Sequence, residues 1–233
     1  MMMRLLNDIW EFFFPRYCVI CGKRLLHGEE HLCLNCLCAL PRIRFYSLED
    51  NEMAKLLWGK MPIERASAFL YYSKGGDVRE LLYQLKYYGN QDIGCFLGRC
   101  MAKELLSCGF FDGIEGIVPV PLHDKKRKSR GYNQSELLSE GVSFVTKIPV
   151  WGNVLRRKQY TETQTRKGNY ERWNNVSDVF ECVSDVDLSG KHILLVDDVV
   201  TSGATITSCA TAILQQCPNT KISICAFATA HYD

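Results

Sequence analysis

Two adjacent aspartates, Asp197 and Asp198, end a run of four aliphatic residues, Ile193 to Val196, and lead through Val199 and Val200 into Thr201-Ser202-Gly203-Ala204-Thr205. An apolar run of this length reads as a buried strand, and open α/β sheets bind ligands at the carboxyl ends of their strands. The following turn opens a helix. Its backbone N–H groups and the hydroxyls of Thr201, Ser202 and Thr205 converge at the helix N-terminus, where the macrodipole favours an anion. Gly203 lets the backbone approach that anion with no Cβ in the way. The two carboxylates can accept hydrogen bonds from sugar hydroxyls and attract a hard cation such as Mg²⁺. A phosphate cradle, a diol acceptor and a cation site together describe a phosphorylated ribose. The bland alternative is a strand–turn–helix capped by acids. Two neighbouring carboxylates with nothing between them repel, and three hydroxyls exceed what a cap needs.

The second chemistry-bearing group is sulfur. Twelve cysteines are present, and Cys18, Cys21, Cys33, Cys36 and Cys38 fall within 21 residues. Cys18-x-x-Cys21 and Cys33-x-x-Cys36 are two knuckles separated by eleven residues, and four thiolates at this spacing suit tetrahedral zinc. The alternatives are unrelated reduced thiols or a redox CxxC, which normally opens a helix in a βαβ context that this segment lacks. His27, His31 and Cys38 could substitute as ligands, although the doubled CxxC does not require them. Cys95, Cys100, Cys108, Cys182, Cys209, Cys217 and Cys225 sit among apolar neighbours and read as small core residues.

A scaffold must position both groups. Strands are expected at Ala66–Tyr72, Gly116–Val120, Lys191–Val196 and Ile222–Ala228, and helices at Val78–Tyr88, Ile93–Leu106, Asn133–Thr146 and Ala204–Gln216. Such alternation implies a largely parallel, doubly wound α/β sheet. The cysteine module spans about residues 17–41, followed by a polar connector through Ser47-Leu48-Glu49-Asp50-Asn51-Glu52 to Pro62. Lys125 to Arg130 reads as a basic loop, open to an anion-binding role or to plain solvation. Leu5, Leu6, Ile9, Trp10 and Phe13 share one face of an N-terminal amphipathic helix, which packs on the body or rests on a membrane surface.

Composition bounds the function. The chain has 233 residues, 47% hydrophobic, with 17 Gly and 7 Pro, which excludes disordered and collagen-like classes. The first fifteen residues lack the continuous apolar core of a secretory signal, and no uncharged run reaches the ~20 residues of a transmembrane span. A cytoplasmic protein with reduced thiols is expected, reaching the inner membrane through partners at most. The net charge of +2 hides an asymmetry. Residues 123–172 carry twelve Lys and Arg against five Asp and Glu, a local +7, and the remainder carries −5. Arg156, Arg157, Arg166 and Lys167, with Tyr132, Tyr160, Tyr170 and Trp173 nearby, could follow a nucleic-acid backbone and stack bases. Solvated loops with core aromatics are the alternative.

The segment Ile193–Thr205 resembles the phosphoribosyl-diphosphate (PRPP) signature of type I phosphoribosyltransferases. The CxxC pair, Arg130-Gly131-Tyr132-Asn133-Gln134, the Thr161/Gln164/Arg172 spacing and the Ile193–Thr205 signature together resemble the ComF competence family over nearly the whole chain. The resemblance implies a type I phosphoribosyltransferase fold over residues 63–233, with a small four-cysteine zinc-ribbon-like module within residues 1–62. It implies that Thr201 to Thr205 hold the 5-phosphate of PRPP and that Asp197 and Asp198 hold the ribose, with Mg²⁺ accompanying the ligand. Arg127 and Arg130, in the family's pyrophosphate loop, would grip pyrophosphate, and residues 155–175 would form a mobile hood. Expected partners are PRPP, single-stranded DNA and the DNA-uptake machinery. The alternatives are a non-catalytic single-stranded-DNA-binding competence factor and a PRPP-sensing regulator without turnover.

Overall fold

The computed structural model describes residues 14–43, 51–73, 75–87, 90–158, 179–183 and 187–230. Among them the order is α1 (Leu34–Ala39), α2 (Glu52–Leu57), β1 (Arg65–Tyr72), α3 (Asp77–Tyr87), α4 (Gln91–Leu106), β2 (Gly116–Pro119), α5 (Asp124–Arg130), α6 (Gln134–Thr146), β3 (Leu155–Arg157), β4 (Phe180–Cys182), β5 (His192–Val200), α7 (Ala204–Gln216) and β6 (Lys221–Ala230). Four strands form one parallel sheet in the order β1-β6-β5-β2, and β3 pairs antiparallel with β4.

β5 is central and nearly continuous in apolar residues, as a strand covered on both faces must be. Leu194 and Val196 enter one core with α3, α4 and α6, while Ile193 and Leu195 enter a second core with α2 and α7. That period-two division makes a three-layer α/β/α sandwich. The strand outlasts the four aliphatic residues. Asp197 pairs with Ala226, and Val199 and Val200 pair with Ala228 and Thr229, so the acid pair lies within the strand's last turn of pairing.

α4 and α6 cross at almost backbone distance. A Cβ on Gly98 would lie 2.2 Å from the Leu138 carbonyl oxygen, and one on Gly141 2.2 Å from that of Cys95. Both positions therefore demand glycine.

Several expectations are corrected. The basic stretch is helix α5, not a loop. His123 Nδ1 accepts the Lys125 N–H at 3.2 Å, Asp124 stands in the first turn, basic residues fill the last, and Gly131 closes it in the left-handed region. These are ordinary helix start and stop chemistry, obscured by the charge run. The polar connector contains α2, capped by Asn51, whose Oδ1 accepts the Ala54 N–H at 3.0 Å. Its Met53, Ala54 and Leu57 are buried. Cys209, Cys217 and Cys225 are buried and Cys95, Cys100 and Cys182 half-buried, but Cys108 is exposed because it lies past the end of α4. Tyr132 is buried, its hydroxyl donating to the Leu85 carbonyl at 3.1 Å, so it is a core residue with no face for a base. The N-terminal amphipathic segment lies outside the described residues.

Candidate functional site

Asp197 and Asp198 sit at the carboxyl end of the sheet's centre, and each is held differently. Asp197 is buried, and its Oδ1 accepts from Ser135 Oγ at 3.2 Å and from the Asp198 N–H at 2.8 Å. Burial, then the neighbouring Asp198 carboxylate, pushes its carboxyl up to about 8. Asp198 meets Lys86 Nζ at 2.7 Å through Oδ2, and its Oδ1 accepts the Val199 N–H at 2.7 Å. The two acids are thus kept apart chemically, one by burial and the other by a counter-ion.

Each support comes from a different element. Ser135 stands in the first turn of α6, capped by Asn133, which accepts the Ser135 N–H at 3.2 Å and donates to the Val120 carbonyl at 3.0 Å. That second bond ties the helix start to the end of β2. Arg130 donates to Gln134 Oε1 at 2.7 Å, while the buried Gln134 Nε2 has no partner among the described residues. The Arg-Gly-Tyr-Asn-Gln stretch therefore ends α5, enters the core through Tyr132 and starts α6 under the acid pair. Lys86 arrives from the last turn of α3.

Beyond β5 the chain turns through Thr201, Ser202 and Gly203 into α7. Thr201, Ser202, Ala204 and Thr205 are exposed, whereas Gly203 is buried with φ +78°. A Cβ on Gly203 would lie 2.7 Å from Leu57 Cδ2, so both the conformation and the contact with α2 require glycine. Ser202 Oγ accepts the Ala204 N–H at 3.4 Å, and Lys60 Nζ donates to the Ser202 carbonyl at 2.9 Å.

Beside the acids lies a cavity of about 570 Å³ lined by Lys86, Tyr87, Lys125, Lys126, Ser129, Arg130 and Tyr132. Four cations in one hollow suit a multiply charged anion. Of the two arginines expected to grip pyrophosphate, Arg130 lines this cavity, stacked 5.2 Å over Tyr87. Arg127 turns instead to Glu136, 3.2 Å away, and Lys86, Lys125 and Lys126 supply the remaining charge.

The sulfur group is compact. The Sγ atoms of Cys18, Cys21, Cys33 and Cys36 all lie within 4.8 Å of one another, with Cys21 and Cys33 3.7 Å apart. A tetrahedron with Zn–S bonds of about 2.3 Å has edges of about 3.8 Å, so the donor set fits that ion. Burial raises the Cys18 thiol, but the N–H groups of Cys21, Cys33 and Ile20 and the Cys21 thiol outweigh it and bring it down to about 6. Burial, then the neighbouring thiols, pushes Cys36 up. Cys38 is exposed and outside the cluster, and His31 packs against Phe96 with ring centroids 5.4 Å apart. Glu29 accepts the Leu26 and Leu34 N–H groups, each at 2.7 Å, which fixes the loop at the start of α1.

No protein-family model matches the chain. It is 30% identical over 216 residues to the DNA utilization protein YhgH of Escherichia coli, covering 86% of this chain and 92% of that protein. The chain belongs to the ComF/YhgH family. Competence protein F of Haemophilus influenzae is 29% identical over 83% of this chain and 76% of its own length. Competence protein ComFC of Bacillus subtilis is 25% identical over 86% and 79%. Among solved structures, the glutamine PRPP amidotransferase of B. subtilis superposes with a TM-score of 0.45 at 18% identity, covering 62% of this chain and 30% of that one. That likeness is too distant to carry an argument. The fold of this ComF/YhgH chain is read from its own parallel sheet, which helices cover on both faces, with a cysteine cluster on the N-terminal side.

In the ComF/YhgH chain Arg156 is paired with Glu181 across β3 and β4 at 2.7 Å, and Arg157 lies 5.4 Å over the Phe180 ring. Arg166 and Lys167 lie outside the described residues, as do Tyr160, Thr161, Gln164, Tyr170, Arg172 and Trp173. No helix among the described residues is long and apolar enough to cross a membrane. Sequence reasoning missed Lys86, Ser135 and Lys60. Lys86 carried the one available signal, a lone cation on the otherwise apolar end of a helix.

Proposed function

We propose that this protein binds PRPP with Mg²⁺ as a phosphoribosyltransferase and serves DNA uptake or use. One observation carries the reading: the acid pair lies near the carboxyl end of the central strand, which runs into a hydroxyl-rich helix-opening turn, and Lys86, the partner of Asp198, lines a four-cation cavity. Thr201, Ser202, Gly203, Ala204 and Thr205 hold the 5-phosphate through hydroxyls and N–H groups. Asp197 and Asp198 accept the ribose hydroxyls and stabilise positive charge at the sugar as pyrophosphate leaves. Arg130, Lys86, Lys125 and Lys126 receive the pyrophosphate. Mg²⁺ would supply charge neutralisation of the pyrophosphate, and the two carboxylates are the oxygen donors suited to it. An acceptor then attacks the ribose C1, so the chain's contribution is positioning and charge. The Cys18, Cys21, Cys33 and Cys36 cluster holds a structural zinc ion.

Calorimetry with PRPP and Mg²⁺ tests the reading. Saturable binding is expected, weakened about 100-fold by Asp198→Ala. Absence of heat at millimolar PRPP overturns it. Incubating the protein with labelled PRPP and a metabolite extract, followed by mass spectrometry, separates turnover from sensing.

A second, compatible reading is single-stranded DNA contact, and its supporting observation is a ladder on α3. Exposed Tyr83 and Tyr87 have ring centroids 5.2 Å apart, with Arg79 5.3 Å over Tyr83 and Arg130 5.2 Å over Tyr87. Two neighbouring rings with a guanidinium at each end, beside the basic helix α5, form a stacking track for bases and phosphates. Relatives named for competence and DNA utilization favour it. Anisotropy with labelled oligothymidine across a salt series should give a Kd raised at least tenfold by the Tyr83→Ala/Tyr87→Ala pair. An unchanged Kd removes this surface.

A further inference from the structure

We infer that Lys60 is the cation of the phosphomonoester subsite formed by the turn Thr201–Thr205. The inference rests on the reading that this turn receives a phosphorylated ribose, and it assigns the part of the ligand each region recognises. A phosphomonoester carries nearly two negative charges near pH 7. The turn itself offers hydroxyls, N–H groups and the partial charge of a helix end, but no basic side chain occurs from residue 201 to 205. The four cations of the cavity belong to α3 and α5, and one of them, Lys86, is already paired with Asp198.

Lys60 brings positive charge to the turn from a segment that reads as a connector. Its Nζ lies 2.9 Å from the Ser202 carbonyl oxygen and 4.0 Å from where a Cβ on Gly203 would stand. The ammonium spends one of its three N–H donors on Ser202, and no other partner is present among the described residues. It is placed there by packing. Leu57 is fully buried and presses on Gly203, the Lys60 N–H donates to the Leu57 carbonyl at 3.1 Å, and Asn51 ties the start of α2 to the Ala66 carbonyl at 2.9 Å. α2 therefore fits against the turn at Gly203 and delivers an ammonium to its rim. One exposed lysine–carbonyl bond adds little to stability, so the arrangement makes more sense as ligand recognition than as a staple.

The experiment is calorimetry on the full chain with three probes: PRPP with Mg²⁺, ribose 5-phosphate, and inorganic pyrophosphate with Mg²⁺. Lys60→Met should weaken ribose 5-phosphate and PRPP about tenfold, the usual effect of losing a charge-assisted bond, and leave pyrophosphate within twofold. Lys60→Arg should restore binding to within about threefold. Arg130→Ala should do the reverse, weakening pyrophosphate and sparing ribose 5-phosphate. Retained pyrophosphate binding also reports that Lys60→Met is folded. Equal losses for ribose 5-phosphate and pyrophosphate, or no loss for either while wild-type PRPP binding stands, overturn the role of Lys60 alone. A wild-type protein that binds none of the three probes overturns the parent reading together with it.

Discussion

The sulfur cluster and the acid pair both crowd groups that repel when ionised, and the protein handles the two cases differently. Four thiols gather from one stretch of nineteen residues, Cys18 to Cys36, and their geometry matches the tetrahedral ion that would neutralise them all. Two carboxylates adjacent in sequence are instead divided by the fold. Burial pushes the Asp197 carboxyl above the usual carboxylate range, and Lys86 from α3 offsets Asp198. A local cluster thus has the geometry to be neutralised by one ion, while a cluster at a sheet end depends on distant elements. The first should fail all at once when its ion is removed, and the second should tune with pH and ligand.

The largest expected effect concerns the first region. Cys18, Leu25, Leu32, Cys33 and Leu40 share a core with Phe69 and Phe96, so collapse of the module would uncover the body. Metal analysis should return about one zinc per chain, and chelation should remove roughly 3 kcal/mol, lowering Tm by about 10 °C. A metal-free protein with unchanged melting would erase the contrast.

Gly203→Ala comes next. It combines a positive φ with a Cβ 2.7 Å from Leu57, and should cost about 1–2 kcal/mol in thermal or urea unfolding. PRPP binding should weaken at the same time, and Gly203→Ala/Leu57→Ala should relieve the clash but not the dihedral strain. Full recovery in that double variant would show that only the clash mattered.

Asp197→Asn sharpens the second region. Because the folded pKa is raised from 3.8 to about 8, the native state holds a proton that the unfolded chain has released across that window. Wild-type stability from this group is therefore full below about pH 4 and lost as pH rises towards 8. The asparagine variant lacks that slope. It should melt above wild type at pH 8.5, by a margin that narrows steadily towards pH 5, with PRPP binding lost. A gap that stays constant with pH would mean that Asp197 does not titrate in this range.

Arg156→Ala should do least. Its pair with Glu181 is solvent-exposed, so a change under about 0.5 kcal/mol that fades with salt is expected. A larger loss would place β3 and β4 among the supports of the sheet.

Much of the scaffold was legible. The strands around Ala66–Tyr72 and Ile222–Ala228 and the helices around Val78 and Ile93 fall within a residue or two of their expected bounds, because period-two and period-3.6 apolar patterns survive folding. α5 was missed because its residues are almost all charged or polar, leaving no apolar stripe to read, although Asp124 and Gly131 marked its ends. α2 was missed because the acidic residues before it mask the burial of Met53 and Leu57.

By itself the sequence determined the chemistry-bearing groups: the four-cysteine spacing, the acid pair and the hydroxyl turn are local, and local spacing is fixed by the covalent chain. Only the tertiary structure decided what surrounds them. Ser135 lies 62 residues from Asp197, and Lys60 lies 142 from Ser202. Lys86 reaches Asp198 only because α3 is folded over the end of β5. Which lysine becomes a counter-ion, which a rim to the turn and which stays in solvent depends on how helices pack on a parallel sheet, and no interval along the chain encodes that.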